Sequence, residues 1–301
     1  MSTIDRVAFI GFGEAGGILG AALAARGLRV TMFDRLLNEP DAAPAMRDKA
    51  MRAGVHPAAT VADAIAGAPL IVSAVTATSD VDVANAVARC IVAGQTFLDI
   101  NSVSPATKRH SQQCIEAAGG HYVEAAVMAP VPPYGLAVPM LLGGTHAESL
   151  ADQLGALGFK ARAVATQVGV ASAAKMCRSV MIKGIEALTV ECLSAARAHG
   201  AERIVLASLQ ETFDKMRTTP DLPGYLISRV AEHGRRRAAE MREVSETLHE
   251  VGIEPSMSDA CAQLQDRFVD TMAARGVKYE TLSPFVWRDV LDLLQGPDTS
   301  R

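Results

Sequence analysis

The sequence predicts an α/β protein: an N-terminal Rossmann-type doubly wound sheet, a long interdomain helix and an all-helical C-terminal domain. Three observations carry that expectation. Short apolar runs alternate with amphipathic helical patterns through the first 165 or so residues, which is the rhythm of parallel βαβ units. A glycine-rich turn, Gly11–Gly16, stands between the first strand and the first helix, and after Gly200 the strand patterns stop. At 301 residues the chain has room for two domains, expected over 1–166 and 167–301, the second opening with a helix over 169–199.

Arg6–Ile10 reads as a strand, Ile18–Arg26 as an alanine-rich helix ended by Gly27, and Arg29–Phe33 as a second strand ending at Asp34. Strand, GxGxxG, helix, strand and acid follow one another at the spacing of a dinucleotide-binding unit. Gly11 permits the tight turn, Gly13 lets backbone approach a pyrophosphate, and Gly16 lets helix and strand pack closely. Phe12, Glu14 and Ala15 fill the intervening positions, and the N–H groups at the helix start face the phosphates. Asp34 is placed to accept from ribose hydroxyls, which points to NAD. Arg35, next in the chain, is the residue type that clamps a 2′-phosphate, so NADP remains open.

The alternation continues with a helix over Ala42–Arg52, a buried strand over Leu70–Val75, a helix over Val81–Ala93 and a strand over Thr96–Ile100. A helix from Pro105 to Gly119 and a strand over His121–Val127 complete the expected parallel sheet. Ligands of such sheets bind beyond the carboxyl ends of the strands. That rim gathers Gly11–Gly16, Val75 and Thr76 with the turn to Ser79, and Asn101–Ser104. Met128–Gly135 holds too many proline-fixed φ angles for a helix and is either a rigid connector or a substrate-facing loop. A strand over Val138–Leu142, a helix over His146–Leu157 and a strand over Lys160–Ala165 follow.

Gly169–Gly200 then shows apolar residues at helical spacing, including Ala173, Met176, Val180, Ile185 and Leu188. Its opposite face is also apolar (Ala171, Ile182, Val190), so the helix is expected to be buried on most sides, over a length of roughly 45 Å. Lys175 sits near its start among small residues, as a snorkelling side chain or a functional amine. Further helices are expected over Arg203–Arg217, Pro223–His233, Arg235–Val251, Ser258–Arg275 and Ser283–Leu294. The run His233–Arg237 is either a solvated helix face or an anchor for an anion.

Composition narrows the function classes. A net charge of −4 gives no electrostatic footprint for nucleic acid, and 4% aromatic residues provide few stacking platforms. No apolar run reaches the length of a membrane span, and no apolar signal segment precedes the first strand. The five cysteines are odd in number and widely spaced, so neither a disulfide framework nor a metal site is expected; the chain reads as cytoplasmic.

The layout and four segments resemble the β-hydroxyacid dehydrogenases, the superfamily that includes 6-phosphogluconate dehydrogenase. The segments are Gly11-Phe-Gly-Glu-Ala-Gly16, Asp99-Ile-Asn-Ser-Val-Ser-Pro105, Pro139-Met-Leu-Leu-Gly-Gly144 and the Gly169–Lys175 start of the long helix. The resemblance implies hydride transfer between a nicotinamide and a hydroxyl-bearing carbon of a small molecule such as a 3-hydroxy acid, with Lys175 as general acid and base. It also implies a homodimer. Asn101 and Ser102 stand where the family keeps Ser-Thr near the nicotinamide. Ser179 stands where an asparagine is expected, one turn after the lysine, to hydrogen-bond the same substrate oxygen. Arg178 is a candidate for a substrate anion, and Arg236 for reaching a neighbouring subunit's site.

The substrate segment departs from the family: Glu124-Ala-Ala-Val-Met-Ala-Pro130 replaces Asp-Ala-Pro-Val-Ser-Gly-Gly, so Met128 stands where a serine binds substrate and Pro130 offers no N–H. Two other readings follow. Imine reductases resemble this architecture but typically carry Asp or Tyr at the position of Lys175. A cofactor-binding sensor without chemistry would retain the nucleotide fold alone.

Overall fold

In the computed structural model, which describes residues 4–296, alternating strands and helices occupy the first half of the chain. Strands β1 (Arg6–Ile10), β2 (Arg29–Phe33), β3 (His56–Pro57) and β4 (Leu70–Ser73) are interleaved with helices α1 (Glu14–Ala24), α2 (Ala43–Arg52) and α3 (Val61–Ile65). Helix α4 (Asp80–Ala88), β5 (Thr96–Asp99), α5 (Pro105–Ala117), β6 (His121–Val127), α6 (Val131–Tyr134), β7 (Pro139–Gly143), α7 (Ala147–Ala156) and β8 (Lys160–Ala165) complete the α/β part. Helices α8 (Val170–Ala198), α9 (Glu202–Thr218), α10 (Leu222–His249), α11 (Ser256–Ala274) and α12 (Trp287–Gln295) follow. The chain divides into two compact units, Met1–Val180 and Met181–Arg301.

The first unit is built on one sheet in the order β3-β2-β1-β4-β5-β6-β7-β8. Alternation along β1 shows why both faces are covered: Val7 and Phe9 enter one apolar cluster, with Leu19 and Leu23 of α1, while Ala8 and Ile10 enter the other, with Ile65, Phe97 and Ile115. Strand order reverses between β1 and β4, which pair in parallel. The crevice that binds ligands in such sheets therefore opens beyond Ile10 and Ser73.

The strands up to β6 pair in parallel, as expected, and β7 pairs antiparallel with β6. Other expectations are corrected. The proline-rich segment after β6 contains one kinked turn, α6, with Pro132 at a non-helical ψ of 135°. The short β3 and α3 carried too few residues to register as a pattern. Pro223–His233 and Arg235–Val251 are one helix: Gly234 does not end α10 but is buried where α11 crosses, and a Cβ there would lie 2.7 Å from Val269 Cγ2 and 3.2 Å from Gln265 O.

Helix α8 is not buried on most sides. Val180, Met181 and Val190 are 73%, 59% and 69% exposed, with Ile182, Ile185 and Leu188 also exposed. In the second unit its Glu191 accepts from the backbone N–H groups of Met257 and Ser258 and from the Ser258 hydroxyl, satisfying the free end of α11. The basic run is an ion-paired face: Arg235 bridges Asp266 and Asp270 of α11, and Arg236 pairs with Glu240 one turn on. Among the described residues no helix is long and apolar enough to cross a membrane.

Two helical glycines give opposite expectations. Gly184→Ala, where an added Cβ meets nothing within 4 Å, should stabilise the chain by roughly 0.5–1 kcal/mol. Gly234→Ala should destabilise it by about 1–3 kcal/mol through overpacking. Urea midpoints of the two variants against the parent check both signs.

Candidate active site

The glycine-rich turn has the local geometry that its sequence requires. Gly11 adopts φ +91° and a Cβ there would collide with Ala74 O, while Gly16 lies against Gly11 O, so both need the missing side chain. Gly13 is different: a Cβ there would meet nothing within 4 Å. Its open face lies beside the start of α1, whose first N–H groups make this end of the helix a place for an anion. Glu14 is exposed and Ala15 half-buried on the first turn of that helix. The turn thus fits a dinucleotide pyrophosphate.

Phe12 is fully buried, and both of its peptide groups are held. Its N–H donates to Asp34 Oδ2 at 2.7 Å, and its carbonyl accepts from Lys49 Nζ at 2.7 Å. Lys49 also donates to Gly13 O at 2.7 Å. The other oxygen of Asp34 accepts from Leu36 N at 3.0 Å, while Arg35 is exposed beside it. Lys49 carries little signal in the sequence, where it reads as one more polar residue on α2. The available signal was its place within the buried stripe of Ala43, Met46 and Ala50.

The second part of the rim rests on a buried polar network. Asp99, at the end of β5, pairs with Lys108 of α5 at 2.7 Å, with 0% and 1% of the side chains exposed. Tyr122 of β6 donates to its other oxygen at 2.7 Å. Asn101 spends its amide inside the network: Oδ1 accepts from Val75 N, and Nδ2 donates to Ser73 Oγ and Asp80 Oδ1. Ser111 donates to the second oxygen of Asp80. Burial, then the nearby Asp99 carboxylate, push the Asp80 carboxyl above its ordinary range, against the opposing effects of Asn101, Lys108 and Ser111. Burial and Asp99 likewise raise the Tyr122 phenol. Asn101 thereby fixes the backbone of Val75, while Thr76 stays exposed on the rim.

Immediately after Asn101, exposed Ser102 meets the long helix: Lys175 Nζ donates to Ser102 Oγ at 2.6 Å. Ser179, one turn later, donates back to Lys175 O at 2.9 Å, and Arg178 is exposed. The backbone N–H of Met128 is taken by Pro139 O at 2.9 Å. The rim thus brings together the glycine-rich turn, Val75–Thr76, Asn101–Ser102 and Lys175. Arg236 lies in the other unit, on α10.

Comparison with known proteins identifies the family of the chain. Residues 6–153 match the NAD binding domain of 6-phosphogluconate dehydrogenase, and residues 196–268 match a domain of unknown function, DUF1932. A conserved hypothetical protein from Sinorhizobium meliloti is 38% identical, with 97% of this chain and 96% of that one covered and a TM-score of 0.63. The chain belongs to the 6-phosphogluconate dehydrogenase-like family. The conserved protein MTH1747, itself of unknown function and structurally similar to 3-hydroxyacid dehydrogenases, is 33% identical over 87% of this chain and 96% of its own, with a TM-score of 0.60. An imine reductase from Myxococcus stipitatus in complex with NADP+ shares the fold at 21% identity, over 88% of this chain and 94% of its own, with a TM-score of 0.66. This family member is a nicotinamide-cofactor-dependent oxidoreductase.

Lys49→Met should weaken NADH binding about 5- to 20-fold, the loss of one or two charge-assisted hydrogen bonds that brace the turn, as read by nicotinamide fluorescence titration. The raised Asp80 carboxyl means that the folded chain holds a proton which the unfolded chain releases. The stability contributed by this group is therefore present at low pH and is lost as pH rises through the window above the ordinary value of 3.8. Asp80→Asn should remove that pH dependence, measured as the urea midpoint across the acid range.

Proposed function

We propose that the chain is an NAD(P)-dependent dehydrogenase or reductase acting on the hydroxyl- or carbonyl-bearing carbon of a 3-hydroxy-acid-like substrate, with Lys175 as general acid and base. The observation that carries this reading is the 2.6 Å hydrogen bond between Lys175 Nζ and Ser102 Oγ, made beside the turn that fits the dinucleotide. The nicotinamide supplies the hydride in one direction and takes it in the other. In oxidation, the neutral Lys175 amine takes the hydroxyl proton as hydride leaves the adjacent carbon; in reduction, the ammonium returns it. Ser102 accepts from the lysine, which leaves its own O–H to donate to the reacting oxygen. Ser179 stands one turn further on; with its O–H given to the Lys175 carbonyl, it meets the substrate hydroxyl as an acceptor.

Because the Met128 N–H is already engaged by Pro139, the substrate carboxylate falls to another donor, and Arg178 is an exposed cation three residues after Lys175 on the same helix. The Asp34 carboxylate favours NAD, since a 2′-phosphate beside it would be repelled. The exposed apolar residues of α8, together with Ile204 and Phe213 of α9 at 75% and 53%, support a homodimer that covers them, with Arg236 the side chain offered to the second copy. Five free thiols fit a reducing, cytoplasmic setting.

Absorbance of reduced nicotinamide, followed with NAD and NADP across a panel of hydroxy acids, is expected to reveal turnover that Lys175→Met lowers by about 10²- to 10⁴-fold while NADH binding persists. Turnover retained in that variant would overturn the lysine's role, and unchanged turnover in Ser179→Ala would remove Ser179. A substrate preference for cyclic imines would redirect the reading to C=N reduction. Tight NADH binding with no turnover on any panel would favour a sensor. Light scattering at micromolar concentration should give twice the chain mass; a monomer would undo the dimer.

A further inference from the structure

Glu124 lies in the middle of β6, is fully buried, and takes no part in the chemistry proposed above. Its carboxylate reaches the first turn of α8. Oε1 accepts from Gly169 N at 2.7 Å and from Ala171 N at 3.0 Å, and Oε2 accepts from Ser172 N at 3.3 Å. These are backbone donors that a helix start leaves without intrahelical partners. Two carboxyl oxygens, with two lone pairs each, have the acceptor capacity for all three N–H donors. We propose that Glu124 is a positioning residue for Lys175, fixing the rotation and depth of α8 so that the amine meets Ser102. This rests on the reading of Lys175 as the acid–base group.

The contacts close a ring. Asp99 and Glu124 are register partners on β5 and β6. Ser102 follows Asp99 by three residues, Glu124 grips the start of α8, and Lys175 on that helix returns to Ser102. Lys175 lies about 8 Å along the helix from its first residue, and a shift of one residue would rotate it by about 100°. Binding through both oxygens to three donors of the first turn resists that rotation, which a single cap bond would not. The neighbouring sequence is cleared for the carboxylate: a Cβ on Gly143, its register partner on β7, would sit 2.6 Å from Oε1. Gly169 adopts φ +110°, and a Cβ there would meet Arg109 Nη1 at 2.6 Å, so the turn into the helix is held to glycine as well.

The test needs no substrate. The full chain, as the parent and as Glu124→Gln and Glu124→Asp, is treated with limiting acetic anhydride, and acetylation of Lys175 is compared with that of exposed Lys160 by mass spectrometry. Amide exchange is followed at Gly169, Ala171 and Ser172. Glu124→Gln, which keeps the size but only one acceptor oxygen, should speed exchange at these amides at least tenfold. It should also raise Lys175 acetylation at least threefold, with NADH affinity within twofold of the parent. Glu124→Asp, which keeps both oxygens, should recover part of each change. Faster exchange with unchanged Lys175 reactivity would make Glu124 a helix cap only and overturn the proposal, as would no change in either. A chain that folds with neither glutamine nor aspartate at this position would make the residue structural, with the same consequence. Lys175→Met with retained turnover would instead defeat the acid–base reading and leave the acetylation contrast standing.

Discussion

Asp99 carries a carboxylate into the interior of the sheet, where water does not reach it, and several donors converge there to make that burial tolerable. Lys108 and the Asn101 N–H meet one oxygen and the Tyr122 hydroxyl meets the other. Lys108 also donates to the Asp99 carbonyl. A buried charge that loses its partner costs about 3–5 kcal/mol, so each group is constrained by the others. The network joins β4, β5, β6, α4 and α5 just where the sheet ends and the candidate site begins. Through Asn101 it holds Val75; through the turn after Asn101 it sets Ser102. The exposed groups at the rim are few, and their positions depend on polar atoms beneath them.

Much of this was readable from local pattern. A glycine turn framed by strand, helix and acid has strict spacing, because each glycine answers a steric demand within a few residues. Lys175 stood out through the glycine that precedes its helix. Other residues act over long sequence distances and left no such trace. Lys49 meets the carbonyl of Phe12, 37 positions away, and Glu124 reaches Ala171 across 47. Gly234 misled for a physical reason: glycine ends helices often, but it also permits close crossing, and only the neighbour on α11 distinguishes the two uses. The apolar faces of α8 resemble core in the sequence because periodicity measures amphipathicity, not what covers the face.

The segment after the middle of β6 departs from the family pattern that the sequence otherwise resembles. Replacing Ser-Gly-Gly by Met128-Ala-Pro130 removes a hydroxyl and flexible donors, and the remaining Met128 N–H is spent on Pro139. The cofactor turn rests on β1 and β4, and the lysine–serine pair on β5, the start of α8 and Glu124 of β6. One short segment thus carries both the altered Met128–Pro130 positions and, at Glu124, the carboxylate that holds the start of α8.

Phe12 is held at its amide by Asp34 and at its carbonyl by Lys49, with Gly13 tied to the same ammonium. The conformational entropy of the turn is therefore surrendered when the protein folds, not when the dinucleotide arrives. Association should then resemble docking onto a rigid surface, with a single kinetic phase and little dependence of its rate on solvent viscosity beyond diffusion. A turn that ordered only around its ligand would bind more slowly and lose affinity steeply on warming.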